Sequence, residues 1–184
     1  DTTFGQSLMS AIVGIKRSSS QWMVSVGLVM VMMMWSGGVI GQASIASFGT
    51  PYTQDFNSLT SSGSWANNST LLGWYTKTDA TASISAYGIN TGTTTTGGLY
   101  SFGVAGVNPL NERSFGFAPS NAFTGGTGVG KGYLGLRLKN NTGSVITSLS
   151  ITWTGEQWRK DNTVAQSLNL SYQIGATVTD ITGG

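Results

Sequence analysis

Leu134-Gly-Leu-Arg-Leu-Lys-Asn-Asn-Thr-Gly143 decides the fold class of this chain. Leu134, Leu136 and Leu138 point one way, and Gly135, Arg137 and Lys139 point the other, which is the two-residue period of a strand with one covered face. Asn140-Asn-Thr-Gly143 then supplies residues that favour a turn. Further on, Leu149, Ile151 and Trp153 oppose Ser148, Ser150, Thr152 and Thr154. Past Lys160-Asp-Asn162, the residues Leu168, Leu170, Tyr172 and Ile174 oppose Asn169, Ser171 and Gln173. Strands with one apolar and one polar face belong to antiparallel sheets that cover a core. The shared phase predicts that Leu136, Leu149, Ile151, Leu168, Leu170 and Tyr172 face one interior, with Trp153 beside them.

Towards the N-terminus the alternation weakens. Ser83–Tyr87 and Leu99–Phe102 read as strands, with the Gly/Thr loop Thr91–Gly98 between them. Thr124–Gly130 reads as a second loop. Its Gly125-Gly-Thr-Gly-Val-Gly130 run lacks the Gly-Lys-Ser/Thr ending and the following helix of a phosphate loop. No stretch after residue 43 sustains a 3.6-residue period. The expected fold is all-β, an antiparallel β-sandwich resembling a jelly roll.

Ahead of this region lies the uncharged apolar run Met23–Ile40, with Lys16 and Arg17 before it and Gly41-Gln42-Ala43 after it. A positive region, an apolar core and small residues, in that order, make a secretory signal peptide. Its 18 residues fall short of the about 20 that a spanning helix needs, and Ser25, Gly27, Ser36, Gly37 and Gly38 dilute them. Cleavage is expected after Ala43, with Gly41 at −3. A retained signal anchor is the rival reading, and a buried helix of a soluble domain is a third. The first two place the rest of the chain outside the cytoplasm, with membrane contact only through the N-terminal segment if it stays uncleaved. The expected division is therefore residues 1–43, upstream residues plus a signal-peptide helix, and residues 44–184, one β-sandwich domain. Met9 is the first candidate initiator, and Thr179-Asp-Ile-Thr-Gly-Gly184 carries no closing signal, so the sandwich is expected to be incomplete at its C-terminus.

Residues 44–184 are enough for one domain with its own core. They contain no cysteine, so the core is expected to stand without disulfides. They hold seven Lys+Arg and six Asp+Glu, with no basic run longer than Arg159-Lys160. Binding to nucleic acid by phosphate neutralisation is therefore not expected. Asn67, Asn68, Asn140 and Asn169 each open a glycosylation-type triplet, a pattern that recurs by chance in a chain this rich in Asn, Ser and Thr.

The whole chain has no histidine and no cysteine, which removes Ser-His-Asp, Cys-His and the common zinc constellations. Glu112 and Glu156 are the carboxylate pair a glycosidase would need, but Arg113 and Arg159 follow them closely. A neighbouring arginine lowers a carboxylate pKa and makes a poor general acid. Glu112, Arg113, Glu156 and Arg159 are instead expected to form a structural clamp of paired charges. Trp65, Trp74 and Tyr75 are the candidate ligand-binding residues, because aromatic faces stack on sugar rings. Trp65 lies in the polar loop Ser61–Thr70 and is expected to be the exposed one; Trp74, at the start of a strand, also suits packing. Asp55, Asn57 and Asp180 could give oxygens to a structural Ca2+; no other cofactor is expected.

Six landmarks occur in order: Tyr52-Thr-Gln-Asp-Phe-Asn-Ser-Leu59, Leu72-Gly-Trp-Tyr75, Gly98-Leu-Tyr-Ser-Phe-Gly103, Glu112-Arg-Ser-Phe-Gly116, Gly135-Leu-Arg-Leu-Lys-Asn-Asn-Thr-Gly143 and Gly155-Glu-Gln-Trp-Arg159. This series resembles the β-sandwich domain at the start of many secreted bacterial proteins, including PEP-CTERM-sorted proteins and extracellular nuclease or lamin-tail multidomain proteins. The resemblance spans Pro51 to about Ala176. It implies a fold and an extracellular location, and no activity. The expected function is a non-catalytic extracellular structural or binding module of a longer secreted or surface protein. The alternative is a carbohydrate-binding module accessory to a polysaccharide-degrading enzyme. Partners would be extracellular polysaccharide or cell-surface components.

Overall fold

The computed structural model describes residues 5–8, 12–16, 42–81, 83–103, 113–125, 130–159, 168–175 and 181. In chain order these form β1 (Gly5–Leu8), β2 (Ile12–Lys16), β3 (Ala43–Ile45), β4 (Gly63–Ser64), β5 (Trp74–Thr78), β6 (Ala86–Asn90), β7 (Gly98–Phe102) and β8 (Ser114–Ala118). The one-turn helix α1 (Asn121–Thr124) follows, then β9 (Gly132–Leu136), β10 (Leu138–Asn140), β11 (Ser148–Thr152) and β12 (Gly155–Arg159). The protein is all-β. Six strands lie in the order β12-β1-β8-β7-β6-β4, and three two-stranded ribbons pair β5 with β9, β3 with β10 and β2 with β11. Two of the pairings, β6–β7 and β3–β10, are parallel, where an antiparallel fold was expected throughout.

Two of these elements have clear local causes. Gly73 adopts φ 83° just before β5, a left-handed conformation open to glycine at little cost. There its carbonyl accepts from Arg137 N (2.8 Å), and the Arg137 carbonyl accepts from Ala43 N (2.9 Å). This exchange joins the β5–β9 ribbon to the β3–β10 ribbon. Helix α1, which the sequence did not suggest, starts on Ser120, whose Oγ accepts from Phe123 N at 3.2 Å. Gly125, at φ 89°, stands at its end.

The core collects Phe56, Leu59, Trp65, Leu71, Trp74, Ile84, Leu99 and Phe115, with Tyr87, Phe117, Phe123, Leu134 and Leu136 packed around them. It thus joins the inner face of the β5–β9 ribbon to β6, β7 and β8. Phe56 sits at its centre with no exposed surface, its ring edge-on to Trp74 (4.8 Å) and tilted on Phe115 (5.5 Å). Its backbone has φ 57°, uncommon for a bulky side chain. Gln54 Oε1 accepts from its N–H at 2.8 Å, and its own carbonyl accepts from Leu59 N at 3.0 Å. Burial of such a ring is worth about 1.5–3 kcal/mol, enough to hold one residue there.

One expectation is corrected here, and two further observations concern residues 1–43. The first concerns the interior: Leu136 does pack against the core, but Leu149, Ile151 and Trp153 are 40–42% exposed, and Leu168, Leu170 and Tyr172 more so. The cause is that β11 belongs to the separate β2–β11 ribbon, and residues 168–175 lie in no strand. Alternation marks a face but does not say that another layer covers it. The second concerns the boundary at residue 43. Ala43 is 2% exposed and lies inside β3, so cleavage after it would cut that strand. The third also concerns residues 1–43: β1 stands between β12 and β8, and β2 pairs with β11. The run Met23–Ile40 lies outside the described residues. Among the described residues no helix is long and apolar enough to cross a membrane.

Candidate functional site

The three aromatic candidates separate into two environments. Trp65 is 3% exposed, a correction to its expected exposure. Its indole Nε1 donates to Asn67 Oδ1 at 2.8 Å, and its ring lies 4.7 Å from Phe115. The polar loop is what makes burial possible, because Asn67 satisfies the one polar atom of the ring. Trp74 is buried too, and donates Nε1 to Tyr52 Oη at 2.8 Å. Both rings are spent on the core. Tyr75 follows Trp74 in β5, so the pleat turns it to the opposite face, where it is half-buried.

That outer face of the β5–β9 ribbon is built by register. Tyr75 lies opposite Gly135, and Lys77 opposite Tyr133. The Arg137 guanidinium stands 5.7 Å from the Tyr75 ring centre, and Lys77 Nζ stands 5.9 Å from that of Tyr133. A cation over a tyrosine face at an exposed site is held by about 0.5–1 kcal/mol. The Tyr133 hydroxyl donates to Asp79 Oδ1 (2.8 Å), and Lys131 N donates to Asp79 Oδ2 (3.0 Å). The Tyr133 hydroxyl foremost, then the Lys131 N–H and the charges of Lys131 and Lys77, hold the Asp79 carboxyl below its ordinary value of 3.8. Residues 131, 133, 135, 137 and 139 share one side of the pleat from β9 into β10, so Lys131 and Lys139 extend the face at its two ends. Gly135 leaves a notch in the middle. Ile181 fills it, its Cγ2 only 2.8 Å from where a Cβ on Gly135 would stand.

Three of the four residues of the expected charge clamp, Arg113, Glu156 and Arg159, are described. Glu112 lies outside the described residues. The Glu156 Oε2 accepts from Ser114 Oγ (2.5 Å) and from Trp158 Nε1 (2.9 Å). The reason lies in the strand period: Glu156 and Trp158 are two apart in β12 and share a face, whereas Arg159 points to the other. Trp158 also stacks on Phe102 with ring centres 6.0 Å apart. Arg159 Nη1 donates to Thr93 O (3.1 Å), and the buried Arg113 gives its backbone N–H to Asn57 Oδ1 (2.9 Å) and its Nη2 to Thr60 O (3.4 Å). The Ser114–Glu156–Trp158 contacts fasten β8 to β12, and Arg159 ties β12 to the Thr91–Gly98 loop.

Asp55 Oδ1 accepts from Asn57 N (3.0 Å) and Asp55 Oδ2 from Asn57 Nδ2 (3.2 Å), while Asn57 Oδ1 serves Arg113. Asp180 lies outside the described residues, and among those described no three His, Cys, Asp or Glu side chains gather as ligands. Two glycosylation-type asparagines are likewise engaged: Asn67 Nδ2 donates to Thr76 O (3.2 Å) and Asn140 Nδ2 to Ser144 O (2.7 Å).

The sequence reading found Tyr75 but not the rest of the outer face. Lys77 and Tyr133 are far apart in the chain, and only the β5–β9 register brings them together. The usable signal was the run Lys131-Gly-Tyr-Leu-Gly-Leu-Arg-Leu-Lys139, whose polar positions are basic or aromatic apart from Gly135. Comparison with family models, with curated proteins and with solved structures gives no match to this chain. Fold and site together describe an all-β protein with a basic, tyrosine-bearing ribbon face.

Proposed function

We propose that this chain provides a non-catalytic extracellular binding module, a jelly-roll-like β-sandwich of the kind carried by secreted bacterial proteins, exported under the direction of Met23–Ile40. The observation that carries the binding reading is the outer face of the β5–β9 ribbon, where Tyr75 and Tyr133 each hold a cation over the ring. A non-catalytic role is supported by the burial of the Ser114–Glu156 pair: Ser114, whose Oγ lies beside Glu156, is 1% exposed, out of reach of a substrate.

The second reading, a carbohydrate-binding module accessory to a polysaccharide-degrading enzyme, rests on the same face, since tyrosine rings and polar neighbours are what sugar binding uses. One experiment tests the proposal. The full chain is expressed in a bacterium with a general secretory pathway, and the exported or surface-held protein is mixed with insoluble polysaccharides. Recovery in the cytoplasm alone would remove the extracellular reading. Export with no retention on any polymer would remove the binding reading and leave a structural module.

A further inference from the structure

We propose that the outer face of the β5–β9 ribbon binds an acidic polysaccharide, its anionic groups meeting Lys77, Lys131, Arg137 and Lys139. This deepens the binding reading above and rests on it. Four of the nine Lys+Arg of the chain are these residues, and Asp79, held by the Tyr133 hydroxyl, the Lys131 N–H and the charges of Lys131 and Lys77, is the one acid among them. In a chain this poor in charge, four cations along one side of β5 and the run from β9 into β10 are a directed arrangement. From Lys131 to Lys139 the face runs about 26 Å at 3.3 Å per residue, the reach of several sugar units rather than of one small molecule.

The geometry separates this ligand from the other common polyanion. Single-stranded nucleic acid needs open aromatic faces on which bases stack. Here the ring of Tyr75 lies under Arg137 and that of Tyr133 under Lys77. The tyrosines therefore act as seats that orient the cations. An acidic glycan would meet Arg137, Lys131 and Lys139 with its carboxylates or sulfates, and Ile181 in the Gly135 notch with the CH face of a ring. Lys131 and Lys139 are exposed and meet the polymer with their ammonium groups.

The test uses the full chain in affinity electrophoresis through gels containing polygalacturonate, a neutral β-glucan, or no polymer, with a fluorescent oligothymidylate titrated separately. The expected result is retardation by polygalacturonate alone, weakening on the order of tenfold between low and physiological salt, as exposed charge contacts do. Lys131→Gln with Lys139→Gln, on exposed side chains that leave the core untouched, should weaken binding about tenfold, the scale of two exposed ion pairs, with an unchanged melting temperature. Arg137→Gln should weaken it further. Equal retardation by the neutral glucan, or indifference to salt and to the lysine changes, would overturn the acidic ligand while keeping the carbohydrate reading. Tighter binding of oligothymidylate than of polygalacturonate would overturn it in favour of nucleic acid. Retention by none of the probes would overturn both this proposal and the binding reading beneath it.

Discussion

Asn67 turns a polar loop into a wall of the core. Its Oδ1 accepts from Trp65 Nε1 and from Thr76 N, each at 2.8 Å, and its Nδ2 donates to Thr76 O. Asn67→Ala would strand a buried indole N–H and a strand amide together. Since each unsatisfied buried group costs about 1–3 kcal/mol, urea melts should show a loss of about 2–4 kcal/mol, and a loss within about 0.5 kcal/mol, the surface scale, would contradict the network. Asp79 gives a pH-dependent counterpart. Its folded pKa lies below the ordinary 3.8, so its contribution is fully present above that value and fades as pH falls through the lower folded value. Asp79→Asn should therefore melt slightly below the parent at neutral pH, and the two melting curves should converge as pH drops below about 3.8. A gap that stays constant into acid would show that the Tyr133 and Lys131 contacts act independently of the charge.

At the scale of elements, Gly73 holds the joint between the β5–β9 and β3–β10 ribbons. A Cβ there would stand 2.6 Å from Ala43 N and 3.0 Å from Arg137 O, with φ at 83°. Gly73→Ala combines a left-handed backbone, about 1–2 kcal/mol, with displacement of β3 from the ribbon joint. A loss of at least about 2 kcal/mol is expected, with faster hydrogen exchange at Ala43 and Arg137. The same element shows what was legible in sequence. A strand starting at Trp74 and ribbon residues around Leu134 and Leu136 follow from local period and a preceding glycine, both carried by the chain itself. The burial of Trp65 was not legible, because it depends on Asn67 reaching back two residues. Nor was the Glu156 triangle, which needs Ser114 from another strand. The parallel β3–β10 pairing and the basic face came from register, which no single segment encodes.

Across the whole molecule, apolar surface is divided unevenly. Phe56, Phe102 and Phe115 have no exposed surface, whereas Leu149, Ile151, Trp153, Leu168, Leu170, Tyr172 and Ile174 are 40–89% exposed. One region is thus packed and another carries strand-like alternation on open faces. The two should respond to mutation in opposite ways. Phe115→Ala removes a ring from the aromatic centre and should cost about 3–5 kcal/mol, the range for a truncated core phenylalanine. Leu170→Ala, at 59% exposure, should stay within about 0.5 kcal/mol. The open faces should also bind an apolar dye such as anilinonaphthalene sulfonate in the folded state, where a uniformly packed domain gives little signal. Replacing Leu168, Leu170 and Ile174 by serine together should lower that fluorescence without lowering the urea midpoint. If Leu170→Ala instead costs as much as Phe115→Ala, and the dye does not bind, the segment from 168 to 174 is packed as a strand in solution, and the sheet order given above is incomplete at that edge.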